Sequence, residues 1–202
     1  MLKRSLLQNS KKLYRNKILI RSPRKIHKYL SLAISAQLLL WTISGIYFSF
    51  NKIEDVRGSQ YLKPKEVIET TKGIKIEAKQ ALILVAEKTY LTPKSVTEIT
   101  ENESGSEYRG RSLPLYKIEA ISEKNKEINV YVDPFSEKIV AVRSNQWRIW
   151  DFMWGIHIMD WDERDNIGNI FLKLFSILAL LSALSGIYLF FKSSRERKLT
   201  ES

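Results

Sequence analysis

The chain has 202 residues, enough for one modest domain with additional segments, and it carries a formal net charge of +11. It contains no cysteine, which excludes disulfides, thiolate catalysis and cysteine-ligated metal or iron–sulfur sites. The mean hydropathy of -0.23 hides a strong segregation, because the apolar residues are concentrated in two long runs.

These two apolar runs predict membrane-spanning helices. Residues 29–50 contain no charged side chain, and residues 167–191 contain only Lys173, near one end, where its ammonium group can reach the interface. Each run is long enough to cross a hydrocarbon core of about 30 Å as a helix. A secretory signal peptide is the alternative for the first run. The run is longer than the apolar core of such a peptide, and no small-residue cleavage pattern follows it, so we expect an uncleaved anchor.

The positive charge lies at the two ends of the chain. Residues 1–28 carry ten Lys or Arg and no acidic residue, and residues 192–202 carry four basic and two acidic residues. Residues 51–166 carry 18 basic and 20 acidic residues. Because basic residues flank spanning helices on the cytoplasmic side, we predict a two-pass protein with both termini in the cytoplasm and the middle outside. Attraction to anionic membrane lipid accounts for the basic ends, so no nucleic-acid partner is expected, although basic ends of this kind also occur in nucleic-acid-binding proteins.

The hydrophilic middle segment predicts a small α+β domain. Residues 51–74 form a polar connector, and residues 76–90 place apolar side chains at helical spacing. Alternating apolar residues then predict three or four strands, which turn-rich segments separate as in antiparallel pairs. The strand segments are 95–100, 112–122, 127–133 and 138–144. One helix packed on one face of a small antiparallel sheet is the expected layer arrangement.

The predicted fold class is therefore two antiparallel transmembrane helices that flank a small extracytoplasmic domain. After that domain, four tryptophans recur at helical spacing, a pattern typical of an interfacial aromatic anchor. These are Trp147, Trp150, Trp154 and Trp161. The expected segments are a basic cytoplasmic tail (1–28), transmembrane helix 1 (29–50), the extracytoplasmic domain (51–145), the amphipathic interfacial segment (146–166), transmembrane helix 2 (167–191) and a cytoplasmic tail (192–202).

Three motifs resemble a known family. A helix followed by strands that end in YVDPFSEKIVAV (131–142) is similar to the PepSY domain, whose usual turn has a glycine where this chain has Ser136-Glu137. RKIHKYLSL (24–32) resembles the Arg-x-x-His start of the first helix in PepSY-associated transmembrane proteins. RIWDFMWGIHIMDW (148–161) resembles their Trp-x-x-His-x-x-Asp segment. The resemblance covers about residues 21–192, although known members often have four or more spanning helices.

The resemblance implies two kinds of function in the bacterial inner membrane. Some members of the family are haem-containing reductases or electron carriers, several of them linked to ferric-siderophore reduction. Other PepSY domains are regulators in the periplasm, some of which restrain peptidases. The chain has no nucleotide-binding loop, nucleophile motif or metalloprotease motif, so the first reading is at most an electron-transfer subunit. The alternative is a non-enzymatic tethered module that binds or regulates a peptidase or a transporter.

The chain has only two histidines, and each matches a family motif. The resemblance implies that His27 and His157 are axial ligands of haem b. If no haem is bound, His27 is one more interfacial cation beside Arg24, Lys25 and Lys28. His157 is then part of the interfacial anchor that the four tryptophans at helical spacing form, which we call the tryptophan stripe. Asp160, one helical turn after His157, is expected to hydrogen-bond its ring as an orienting group.

The predicted topology puts the two histidines at opposite faces of the membrane, about 30 Å apart. One chain therefore cannot ligate a single haem through both of them. Each histidine pairs with its symmetry mate in a homodimer, or with a histidine of a partner membrane subunit, or no haem is bound.

Two further sequence features remain. The acidic residues Asp160, Asp162, Glu163 and Asp165 are expected to be a solvated cap before the second helix, with a hard-cation site as the alternative. The tetrapeptide SGIY occurs at 44–47 and again at 185–188. Small residues that let helices approach closely, followed by a tyrosine at interface depth, explain both copies without an inverted repeat.

Overall fold

The computed structural model describes residues 23–64 and 73–200, with side chains up to residue 193. The chain divides into two compact units. The helical unit comprises Met1–Leu40 and Ile170–Ser202, and the sheet unit comprises Trp41–Asn169. The predicted basic tail lies outside the described residues as far as residue 22, and so do residues 65–72 of the predicted connector.

The helical unit is built from the long helices that the apolar runs predict. Helix α1 spans Pro23–Phe50, of which the part up to Leu40 belongs to this unit, and the last helix, α5, spans Ile170–Thr200. Both are long and apolar enough to cross a membrane. In the most apolar 18-residue stretch of each helix, only 17% of the residues of α1 and 6% of those of α5 are buried. Leu32 and Phe190, for example, are each 67% exposed. Large apolar side chains that are exposed along a whole helix are expected of a membrane span, where lipid tails surround them.

The sheet unit confirms the predicted order of one helix and four strands. After the end of α1 come helix α2 (Ile53–Val56), a 3-10 turn (Ser59–Tyr61), helix α3 (Ala78–Lys88), strands β1 (Leu91–Ile99), β2 (Leu115–Ser122), β3 (Glu127–Asp133) and β4 (Lys138–Arg143), and helix α4 (Asn145–Ile158). Strand β1 begins at Leu91, not at residue 95. Pro93 is accommodated there because β1 is an edge strand with a register shift between Pro93 and Ser95.

The four strands form an antiparallel meander in the order β1-β2-β3-β4, with a core on each face. On one face, α3 packs Ala81 and Val85 against strand residues such as Ile118 and Val130, all of them fully buried. On the other face, Tyr108 of the β1–β2 loop covers Leu115, Tyr131 and Ala141. Strand alternation explains both layers, because neighbouring residues of β2 and β3 point to opposite faces.

The β3–β4 turn shows why a glycine is usual at this point in the family that the sequence resembles. Glu137 has φ 53°, in the left-handed region that L-residues adopt at a cost of about 1–2 kcal/mol. Asp133 holds the turn together, because its carboxylate accepts hydrogen bonds from the Phe135 N–H at 2.9 Å and from the Ser136 hydroxyl at 2.7 Å.

We therefore expect Glu137→Gly to stabilise the sheet unit by about 0.5–1 kcal/mol, since glycine adopts the left-handed conformation without strain. The measurement is thermal unfolding in detergent, followed by circular dichroism. Glu123→Gly is the matched control: Glu123 is exposed in the β2–β3 turn, where Asn125 and not Glu123 has the positive φ. The control should destabilise slightly, and equal effects of the two variants would contradict the explanation.

Candidate functional site

His27 lies near the start of α1 and contacts the second half of α5. Its Nδ1 atom is 2.7 Å from the Ser185 hydroxyl. One turn further along α1, the Ser31 hydroxyl is 3.5 Å from the same Nδ1 and 2.7 Å from the hydroxyl of Ser182. Moving forward along α1 from His27 to Ser31 moves backward along α5 from Ser185 to Ser182, so the two helices run antiparallel at this point.

A glycine on α5 lets the His27 ring pack against the helix backbone. A Cβ atom at Gly186 would stand 3.2 Å from His27 Cε1 and 3.7 Å from its Nε2. That spacing is tighter than ordinary van der Waals contact, so a side chain at this position would push the ring away. His27 is half-buried as a result, and Ser182 beside it is 7% exposed.

His157 lies in the last turn of α4 and contacts the part of α1 that belongs to the sheet unit. Its Nδ1 is 2.8 Å from the hydroxyl of Ser44, whose side chain is fully buried. The indole N–H of Trp41 donates to the backbone carbonyl of His157 at 2.6 Å. The side chain and the backbone of this histidine are therefore both fixed by α1.

Aromatic rings surround the His157 imidazole. Trp154 lies nearly parallel to it, with an interplanar angle of 11° and ring centroids 6.2 Å apart, and Trp150 stacks on Trp154 at 5.6 Å. Phe48 meets the imidazole edge-on at 5.6 Å. Burial among these rings lowers the pKa of His157, which favours the neutral imidazole, the form that binds metals.

Two sequence predictions about this segment need correction. Ser44, not Asp160, is the partner of the His157 ring: Asp160 Oδ2 instead accepts from the backbone N–H groups of Asp165 and Asn166, at 3.2 and 3.0 Å.

The tryptophan stripe is also shorter than predicted. Helix α4 ends at Ile158, where Met159 adopts a left-handed conformation, so Trp161 lies beyond the helix that carries Trp150 and Trp154.

Trp147, the first tryptophan of the predicted stripe, faces the sheet. It is 8% exposed, and its ring lies 4.2 Å from the guanidinium of Arg143 and 5.6 Å from that of Arg109. Burial, with the nearby charge of Arg111 as the next cause, lowers the pKa of Arg143 to about 10, still well above neutral. Trp147 therefore anchors α4 through cation–π contacts and is not part of the histidine's surroundings.

Two carboxylates that the sequence did not single out hold α4 in place. Asp151 is 1% exposed, and its carboxylate accepts from the guanidinium groups of Arg109 and Arg164, the latter at 2.8 Å. Glu107 accepts from Arg148 Nε at 2.6 Å and from the Tyr131 hydroxyl at 3.0 Å. These bonds connect α4 to the loops before and after it, so they fix the helix that carries His157.

The acidic cluster, predicted to be a solvated cap before α5 with a hard-cation site as the alternative, lies in the turn between α4 and α5. Carboxylate oxygens of Asp160, Glu163 and Asp165 lie within 4.8 Å of one another, and the last two side chains are exposed. Asp160 is already engaged with the backbone of the turn, and this turn leads to Asn169, whose amide donates to the Ile158 carbonyl at 2.8 Å. Asp160 and Asn169 therefore stabilise the turn that follows α4.

A family model described as the PepSY-associated TM region matches residues 24–201. The chain belongs to this family. The match confirms the resemblance that the motifs indicate and identifies a PepSY-associated membrane protein, which contacts lipid. It includes both histidines, His27 and His157. No curated protein and no solved structure matches the chain.

We expect Asp151→Asn to destabilise this PepSY-associated protein by about 3 kcal/mol, because the variant leaves two arginines beside an uncharged group in a buried position. Thermal unfolding in detergent measures the loss. Glu119→Gln is the control, since the Lys117–Glu119 ion pair, at 3.2 Å, is exposed and should contribute little. If the two variants unfold at the same temperature, Asp151 does not anchor α4.

Proposed function

We propose that this PepSY-associated membrane protein binds haem b through His27 and His157 and carries electrons, either alone or as the electron-transfer subunit of a membrane reductase. One observation supports this most strongly. Both histidines of the chain are held through Nδ1 by a serine hydroxyl, at 2.7 and 2.8 Å. Among the residues that the structure describes, neither Nε2 atom is engaged in a hydrogen bond.

The surroundings of the two histidines fit an axial ligand of haem. Each ring is half-buried, and its Nδ1 is held by a serine hydroxyl. Neutral imidazole is a standard ligand of haem iron, and hydrogen bonding of the second ring nitrogen is the usual arrangement for a ligating histidine. When bound, haem supplies reversible one-electron exchange. The chain contributes the ligand nitrogen, its orientation and, at His157, a wall of aromatic rings that limits the access of water.

The proposed topology follows from the charge distribution. Both termini lie in the cytoplasm of a bacterium, α1 and α5 cross its inner membrane, and residues 51–145 form a PepSY-like domain outside, followed by the interfacial segment 146–166. His27 then belongs to the cytoplasmic face and His157 to the outer face. The second ligand of each haem comes from a homodimer mate or from a partner membrane subunit. A homodimer would hold one haem at each face, which provides a route for electrons across the bilayer.

If the protein is the electron-transfer subunit of a reductase, a partner protein binds the substrate. The sequence contains no nucleotide-binding motif, so the electron donor must be another protein or a membrane-soluble carrier. Ferric iron, bound to a siderophore, is the acceptor class that the PepSY-associated family implies.

A tethered regulatory module is the second candidate, and a groove on the sheet unit favours it. The groove has a volume of about 720 Å³ and lies between the β1–β2 loop and strands β1 to β3. Its lining includes Lys117 and four glutamates, of which Glu98 pairs with Lys75 and Glu107 with Arg148. Glu101 and Glu103 are the other two. An acidic groove of this kind fits a basic segment of a peptidase or transporter. An electron carrier needs both histidines, whereas a tethered module needs neither.

We expect the protein purified in mild detergent and supplemented with haem to show a Soret band, with a sharp α band after reduction by dithionite. His27→Ala and His157→Ala should each remove about half of this absorption if each histidine serves one haem, and the double variant should remove all of it. Lys28→Ala and Phe152→Ala, exposed neighbours on the same helices, are the controls and should retain it. A featureless spectrum of the supplemented wild-type protein would overturn the haem proposal and favour the tethered module.

The topology has a test of its own, because a cysteine-free chain allows single labels. Lys124→Cys, in the exposed turn between β2 and β3, should react with a membrane-impermeant maleimide on intact spheroplasts. Ser202→Cys should react only after the membrane is permeabilised. The reverse pattern would invert the proposed orientation, and labelling of both positions on intact cells would contradict the two-pass arrangement.

A further inference from the structure

The two SGIY copies have the same role, because the serine of each one contacts a different histidine. Ser44 Oγ is 2.8 Å from His157 Nδ1, and Ser185 Oγ is 2.7 Å from His27 Nδ1. One pair lies in the sheet unit and the other in the helical unit. Close helix approach and interface tyrosines, the sequence interpretation of the repeat, do not account for this shared contact.

Each serine hydroxyl also lies within hydrogen-bond distance of a backbone carbonyl, which can only accept. Ser44 Oγ donates to the Trp41 carbonyl at 3.1 Å, and Ser185 Oγ donates to the Ser182 carbonyl at 2.8 Å. Both are bonds to the backbone carbonyl three residues earlier in the helix. Because a hydroxyl has one hydrogen, a serine that gives it to this carbonyl accepts from its histidine, and the histidine Nδ1 then carries the proton.

This donor direction determines the tautomer of each imidazole ring. A neutral imidazole protonated on Nδ1 has its lone pair on Nε2. We propose that Ser44 and Ser185 are positioning residues that fix both histidines as the Nδ1–H tautomer, and that Nε2 is the iron-binding nitrogen at each site. The second part of this inference rests on the proposed haem function, whereas the first part does not.

The serine is the shared element of the two copies, and the glycine is needed at only one of them. Gly186 makes room for the His27 ring, but a Cβ at Gly45 would have no neighbour within 4 Å. A serine acceptor also differs from a carboxylate in its effect on the ligand. Because it is neutral, it orients the imidazole while adding less electron density to the ring than the predicted Asp160 would have added.

The tautomers can be measured in the haem-free, full-length protein in detergent. Long-range ¹⁵N–¹H correlation spectra show which ring nitrogen carries the proton, and His27→Ala assigns the two histidines. We expect Nδ1–H for both rings, and a mixture of tautomers for His157 in Ser44→Ala and for His27 in Ser185→Ala. Nε2–H rings in the wild-type protein would overturn the inference, whether or not haem binds.

Haem binding provides the second readout. Ser44→Ala and Ser185→Ala should each weaken haem binding at one site about 10- to 100-fold and shift the midpoint potential of that site upward. Ser44→Thr and Ser185→Thr keep the hydroxyl and should restore both properties. Ser35→Ala and Ser49→Ala are matched controls, because these exposed serines of α1 make the same bond to the carbonyl three residues earlier, at 2.8 Å in each case.

The outcomes separate the two proposals. If the wild-type protein holds haem and both serine-to-alanine variants keep its affinity and potential, the serines do not position the ligands, although the haem function stands. If the wild-type protein shows no haem spectrum, the proposed function falls, and with it the assignment of Nε2 to iron. The nitrogen spectra of the haem-free protein then decide the tautomers.

Discussion

The hydrogen bond between a histidine Nδ1 and a serine hydroxyl is the interaction on which each candidate site depends. It needs two helices to meet at a fixed register: α1 with α5 at His27, and α4 with α1 at His157. Since the hydrogen bond at the second ring nitrogen sets the tautomer and the orientation of a ligating imidazole, the helix contacts and the chemistry are linked. Each serine is itself oriented by the backbone of its own helix, so the arrangement has little freedom.

The sheet unit acts as the support for α4. Asp151 between two arginines, Glu107 beneath Arg148, and Trp147 against Arg143 all fix this one helix to the loops and strands around it. Buried ion pairs contribute little net stability compared with apolar packing, because desolvation offsets their attraction. We infer that their value here is positional, since a helix held by directional bonds presents His157 at one angle.

Much of the fold could be predicted from the sequence, because it follows from local patterns. The two apolar runs, the apolar spacing in 76–90 and the alternation in 127–133 each correspond to an element in the structure. The family motifs also located both histidines. The serine partners were missed because Ser44 and His157 are 113 residues apart, and only tertiary packing brings them together. The repeat of SGIY was the one feature of the sequence that could have pointed to Ser44 and Ser185. Asp160 was chosen for its proximity in sequence, but the helix ends at Ile158, and its carboxylate then serves the turn.

The most direct test of the account is pulsed electron paramagnetic resonance on the ferric, haem-loaded protein prepared with ¹⁵N-labelled histidine. In the protein purified without a partner subunit, His27 and His157 are the only histidines, so they carry all of the label. Coordination through Nε2 predicts strong ¹⁵N couplings from directly bound imidazole, part of which disappears in each single histidine variant. A ferric haem signal without these couplings, or the absence of any haem signal, would contradict the assignment of the two histidines.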